Sequence, residues 1–318
     1  IRADMDALPI DEVSDKPYKS QNKNVMHACG HDAHVAVLLG VCKVLNNFKD
    51  KFGGVVKAVF QPGEETSGGA LPMIEEGVLE NPHTDVCVAL HCDSDLDCGT
   101  IRVKPGSLYA SPDDFRITVK GKGGHGAEPH NCIDPIMISA SIIQALNNLI
   151  SRETDPFDNA VISVGSIHGG SATNIIPDSV EIQGTARSLT NEVRSFLKKR
   201  IGETAEGICK TFGAECEYEY TELFPPLIND EKLAEDVYDS ACRSIGKDKC
   251  VWGGAPTMAG EDFSYFSQNR PSVLFKLGCR NKSLGIVNPI HHSSFDIDEN
   301  CLKTGVKVFV GFVLDYLN

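Results

Sequence analysis

The hydrophobic and polar positions of this chain fall into three successive patterns. In the first, Val35, Leu38, Leu39, Cys42 and Leu45 recur at helical spacing, while 55–60 and 86–90 are short, largely apolar runs that read as buried strands. Helix alternating with buried strand predicts a parallel sheet, and 1–108 reads as the first part of one domain. The pattern changes near Tyr109. A strand over 115–120, a helix over 135–150, strands over 160–167 and 179–187, a helix over 191–212 and a strand over 215–221 follow in order. This β-α-β-β-α-β succession is the split βαβ unit, expected to close as a domain of its own over 109–222. From 223 to 318 the chain returns to a helix over 230–245, a strand over 272–277 and a helix over 300–316. These elements complete the first sheet, which makes the middle unit an insertion.

Composition narrows the classes of function. A length of 318 residues suits two domains better than one. Thirty Lys and Arg against 44 Asp and Glu give a net charge of -14, which repels phosphate backbones and anionic lipid, so no nucleic acid or membrane partner is expected. No apolar stretch approaches the roughly 20 residues needed to span a bilayer. The twelve cysteines are scattered, many inside apolar runs where thiols act as small hydrophobes, and a cytoplasmic location is expected.

Candidate chemistry sits where predicted elements begin or end. His27-Ala28-Cys29-Gly30-His31-Asp32 opens a helical pattern, Glu64-Glu65 follows the 55–60 run, His91 caps the 86–90 run, and His291-His292 precede Phe295. The carboxyl ends of parallel strands share one edge of an open α/β sheet, so such residues converge there. Taken alone, each has a bland reading: Cys29 a buried thiol, Glu64 and Glu65 a solvated pair, His91 a core histidine, His291 a surface imidazole. The turn 66–69 is expected to expose both glutamates at the sheet edge. Together the residues offer thiolate, imidazole and carboxylate, a donor set for a borderline-soft divalent metal. Five ligands exceed one tetrahedral site with an open position, so two metals fit better. One glutamate can then bind metal while its neighbour takes a proton from water, although spacing does not say which. Asp4 and Asp6 read on their own as strand-end turn residues. The segment from Lys120 to Gly126 reads as a mobile Gly-rich turn containing His125, and Arg187 as either a surface ion pair or a planar fork for a carboxylate.

Arg2-Ala3-Asp4-Met5-Asp6-Ala7-Leu8-Pro9, Met26-His27-Ala28-Cys29-Gly30-His31-Asp32, Gln61-Pro62-Gly63-Glu64-Glu65, Gly124-His125-Gly126-Ala127, Asn174-Ile175-Ile176-Pro177, Gly184-Thr185-Ala186-Arg187 and Gly260-Glu261-Asp262-Phe263 occur in this order. In these motifs the whole chain resembles the dinuclear-metal amidohydrolase branch of the aminoacylase and carboxypeptidase superfamily, which includes hippurate hydrolases, auxin-conjugate hydrolases and N-acetyldiaminopimelate deacetylases. The resemblance implies a zinc-peptidase-like catalytic α/β domain, with a mostly parallel sheet and helices on both faces. It implies an inserted ferredoxin-like domain that acts as a lid and makes a homodimer. It further implies that Cys29, His31, Glu65, His91 and His291 bind two divalent ions (zinc, manganese, cobalt or nickel), with Cys29 the bridge. Position relative to Phe295 favours His291, with His292 the alternative. Glu64 would be the general base acting with a metal-held hydroxide, and His125 would stabilise the oxyanion. Arg187 and Asn174 would hold the substrate, and Asp6 would orient a ligand imidazole. The expected activity is hydrolysis of N-acyl amino acids. Alternatives are a dipeptidase or aminopeptidase with the same centre, and a catalytically silent metal- or ligand-binding protein, against which the presence of both glutamates argues. Family members carry a further N-terminal segment before the position of Ile1, so a truncated N-terminus is expected.

Overall fold

A computed structural model describes residues 1–66 and 68–318. In chain order the first elements are β1 (Arg2–Asp4), α1 (His31–Asn46), β2 (Val59–Gln61), α2 (Ala70–Glu75), β3 (Cys87–Asp97), β4 (Ile101–Val103) and β5 (Gly106–Tyr109). Next come β6 (Ser111–Lys120), β7 (Gly124–His125), α3 (Pro135–Asn148), β8 (Ala160–His168), β9 (Ile175–Ile176), β10 (Ser179–Ser188), α4 (Asn191–Thr211) and β11 (Glu215–Thr221). The chain closes with β12 (Leu227–Asn229), α5 (Glu231–Ile245), β13 (Cys250–Trp252), α6 (Ser264–Asn269), β14 (Ser272–Arg280) and α7 (Asn300–Tyr316). These elements form two compact units.

The first unit comprises Ile1–Leu108, Ile228–Ala255 and Asp262–Asn318. Its sheet runs β13-β4-β14-β3-β1-β2, parallel at every pairing except β14 with β4. Val37, Val41 and Leu45 recur every fourth residue on α1 and meet Val308, Phe309 and Phe312 of α7 in one apolar core, to which α5 adds Leu233, Val237 and Ala241. Helix α5 starts where the Asp230 carboxylate accepts the Leu233 amide at 2.8 Å. Two expectations need correction here. The strand read over 55–60 is β2, only three residues long, and Val55 is 69% exposed. Its ladder partner β1 offers just Arg2, Ala3 and Asp4, so pairing stops where β1 stops. His91 does not end its strand either: β14 continues to pair with β3, and the strand runs on to Asp97. His91 nonetheless lies close to the level at which β1 ends, because Arg2 is registered with Ala89.

The second unit, Tyr109–Leu227 with Pro256–Glu261, is built on an antiparallel sheet in the order β11-β6-β10-β8. Strand β6 alternates strictly, burying Phe115, Ile117 and Val119 against Ile138, Ile142 and Leu146 of α3 and Leu197 and Ile201 of α4. Asp134 and Thr190 cap the two helices through the Ile136 and Val193 amides. The 256–261 stretch joins this unit because the Ala110 amide donates to Ala259 O at 3.0 Å and Arg187 donates to Met258 O at 2.8 Å.

Candidate metal centre

Three loops, the start of α1 and strand β3 of the first unit bring the sequence-singled residues together. Cys29 ends the segment before α1, and the Gly30 that follows has φ 85°, a left-handed turn that L side chains rarely adopt. A Cβ at Gly30 would also lie 3.1 Å from Cys92 Sγ, so glycine lets the helix start close against β3. His31 is the first residue of α1. Glu64 and Glu65 lie in the turn after β2. This turn does not expose them as expected: Glu64 is 8% exposed and the Glu65 side chain 10%. The Gly68 and Gly69 amides donate back to Gly63 O, which folds the turn inward; Ser67 lies outside the described residues. His291 has φ 64° and donates its amide to Ala28 O at 2.7 Å, which turns its ring toward Cys29. His292 is exposed, and its Nδ1 accepts the Ser294 amide at 3.0 Å.

The donor atoms are close. Cys29 Sγ lies 3.5 Å from His91 Nε2 and 3.3 Å from His291 Nε2. Glu65 Oε1 is 3.3 Å from His291 Nε2 and 3.8 Å from His31 Nε2. Cys29, His31 and His91 form one group of ligand-type atoms, Cys29, Glu65 and His291 another, and His31, Glu64 and Glu65 a third, each within 4.8 Å. Cys29 is common to the first two groups.

Protonation leaves a lone pair facing inward at His91. His91 Nδ1 donates to Cys92 O at 2.7 Å, leaving Nε2 as the lone-pair nitrogen toward Cys29. Burial, helped by the nearby Lys276 charge, holds the His91 pKa well below the ordinary imidazole value, so the ring is neutral. His31 Nδ1 lies 3.3 Å from Asp6 Oδ1, and the other oxygen of Asp6 accepts the Glu65 amide at 3.0 Å. Burial works against a charged His31, but Asp6, Asp4 and Glu65 outweigh it and raise its pKa. Burial and the Glu65 carboxylate push the Cys29 thiol far up. A thiolate here therefore needs a cation beside it.

His31 Nε2 and Glu65 Oε1 are buried and have no hydrogen-bond partner among the described residues. Orphaned buried polar atoms of this kind are costly unless something binds them. Thiol, imidazole and carboxylate groups that converge on one another at 3.3–3.8 Å suit divalent cations.

Pattern reading did not find the buried network behind the centre. Arg2, Asp4, His34, Gln61 and Asp262 are all 3% exposed or less. Arg2 donates to Asp4 at 2.7 Å, to Asp262 at 2.9 Å and to Gln61 at 2.9 Å. Asp4 does end a strand, as the last residue of β1, but it is fully buried and hydrogen-bonds His34.

The second unit carries the remaining predicted residues. His125 is exposed on β7, and its Nδ1 accepts the Ala127 amide at 3.1 Å, so the neutral ring carries its proton on Nε2. Ile175 is registered with His125 across the ladder, and the carbonyl of Asn174, just before it, accepts the Gly126 amide at 2.8 Å. Arg187 closes on the Met258 carbonyl rather than on a carboxylate, and only one of its nitrogens is used among the described residues.

Fold and donor set together describe an α/β protein with a mainly parallel sheet and a cluster of side chains able to hold divalent metal. The chain belongs to peptidase family M20/M25/M40, whose family profile matches residues 1–315. It is 41% identical to thermostable carboxypeptidase 2 of Saccharolobus solfataricus, over 100% of this chain and 80% of that protein. It is 39% identical to an N-acetyl-L-cysteine deacetylase of Bacillus subtilis, over 95% of this chain and 70% of the other. Among solved structures, a dinuclear metal-binding peptidase of the M20 family from Bacillus subtilis superposes with TM-score 0.86 at 32% identity, over 99% of this chain and 80% of that one. Among the described residues, no helix is long and apolar enough to cross a membrane.

Proposed function

We propose that this chain hydrolyses the amide bond of N-acyl amino acids, with Cys29, His31, Glu65, His91 and His291 holding two divalent ions. The observation that carries the reading is that Cys29 is shared by two ligand groups, one with His31 and His91 and one with Glu65 and His291. A shared thiolate is what a bridging ligand requires. When bound, two divalent cations polarise the scissile carbonyl and make water acidic enough to lose a proton near neutral pH. Glu64, buried beside Glu65, takes that proton on its carboxylate and delivers it to the departing amine nitrogen. Asp6 keeps His31 and Glu65 in place through its two oxygens. His125 donates Nε2–H to the carbonyl oxygen as negative charge develops, a contribution of typically about 2.7–4 kcal/mol. Arg187, with Asn174, holds the free carboxylate of the substrate. The second unit serves as lid and as the contact of a homodimer. The cysteines, free thiols throughout the described residues, suit a reducing cytoplasm.

Similarity to a carboxypeptidase supports a second reading, in which the same centre and Arg187 act on the C-terminal residue of a peptide. A panel of N-acetyl and N-benzoyl amino acids, dipeptides and longer peptides, offered to protein loaded in turn with zinc, manganese, cobalt and nickel, separates the two. Highest kcat/KM on N-acyl amino acids is the expected result. Cleavage of peptides alone would establish the second reading, and no turnover with any metal would leave a silent binder.

A further inference from the structure

His34 lies within ligand distance of Asp4 and His31, and the three form a group that resembles a further metal site. Both of its nitrogens are committed elsewhere. Nε2 accepts the Cys92 amide at 2.9 Å, so the neutral ring has its proton on Nδ1, where it is donated to Asp4 Oδ1. Asp4 is fixed in turn by Arg2. His34 is fully buried, and no lone pair remains for an ion.

The Cys92 amide belongs to the peptide that links His91 to Cys92, and that peptide sets the direction in which the His91 side chain leaves the backbone. On the β1 side of β3 the ladder is short, with Arg2 registered to Ala89 and β1 ending at Asp4. Beyond that point a β3 amide needs a substitute acceptor, and His34 supplies it from α1. The carbonyl of Cys92 then takes His91 Nδ1–H. A chain of hydrogen bonds therefore runs from Arg2 through Asp4 and His34 to the peptide of His91.

We propose that His34 is a positioning residue for His91: by accepting the Cys92 amide it sets the backbone plane that aims His91 Nε2 at Cys29. The proposal rests on the reading of His91 as a metal ligand. Partners of metal-binding histidines typically change metal affinity by about 10- to 100-fold when removed.

Two substitutions separate the two bonds of His34. Glutamine places an acceptor near the position of Nε2 and retains the Cys92 bond, whereas asparagine places its amide near Nδ1 and retains only Asp4. Chelator competition on the whole protein should show His34→Asn lowering the affinity of one of the two ions by about 10- to 100-fold, with the other little changed and His34→Gln close to wild type. A merely structural role would weaken both ions together, or harm His34→Gln at least as much as His34→Asn; either pattern overturns the proposal. Metal-free wild-type protein labelled with ¹⁵N provides a readout that needs neither a variant nor a metal. Scalar coupling across the hydrogen bond between the Cys92 amide nitrogen and His34 Nε2, with His91 as the Nδ1–H tautomer, is expected. Absence of that coupling also overturns the proposal. If the coupling is present but no metal binds, the functional reading fails while the positioning geometry stands.

Discussion

Asp6→Asn is the perturbation whose effect can be worked out most fully. One carboxylate serves two partners: Oδ1 faces His31 Nδ1 at 3.3 Å and Oδ2 accepts the Glu65 amide at 3.0 Å. Asparagine has a single acceptor oxygen, so one of the two partners loses its bond. Hydrogen bonds to a charged group contribute roughly 1.5–3 kcal/mol, so metal affinity should fall by about one to two decades. The accompanying fall in kcat/KM at limiting metal should be of similar size, because His31 or Glu65 is then misplaced. Stability offers an independent check. Burial tends to raise the Asp6 pKa, but the bonds from His31 and the Glu65 amide outweigh it and hold it below its ordinary value. A carboxylate with a depressed folded pKa stabilises the protein above its unfolded value of about 3.9, and loses that contribution as pH falls through the folded value. The stability difference between wild type and Asp6→Asn, measured by urea unfolding of metal-free protein, should therefore grow as pH falls through the His31 titration, because Asp6 raises that pKa, level off by about pH 5 and shrink below about pH 4. A difference that persisted undiminished at pH 2, or metal affinity within threefold of wild type, would refute this account of Asp6.

Glu64→Gln should keep both ions and lose about 10² to 10⁴ in kcat, while Glu65→Gln should lose metal as well; equilibrium dialysis beside steady-state kinetics distinguishes them. Cys29→Ser should weaken zinc binding more than manganese binding, since thiolate is the soft donor, and equal losses for the two metals would remove Cys29 from the ligand set. Replacing the substrate carboxylate by a methyl ester should lower kcat/KM by about one to two decades, and Arg187→Ala should lose a similar amount with the acid but little more with the ester. Simple addition of the two losses would mean that Arg187 does not bind the carboxylate.

The long periodic elements were legible from the sequence because their burial follows one period throughout. The helix over 300–316 and the strand over 215–221 have the bounds their spacing predicts. The apolar run 55–60 overstates strand β2, whose length is set by β1, a partner with three residues. The ligand-type residues were legible as types, since thiol, imidazole and carboxylate at element ends are unusual together. Their inward aim was not, because it depends on backbone details: φ 64° at His291 and the Gly63 carbonyl that folds the glutamate turn inward. His34 and Asp262 left no local signal, since what identifies them is burial beside Asp4 and Arg2 from distant parts of the chain.

Titrating metal into metal-free protein while following release of the amino acid from an N-acetyl amino acid tests the two-ion reading most directly. Cys29 is common to two groups of ligand-type atoms, so on the proposed reading activity should rise with added metal and level off at two equivalents per chain, in step with metal content. A plateau at one equivalent, or amide cleavage that proceeds unchanged without metal, would contradict it.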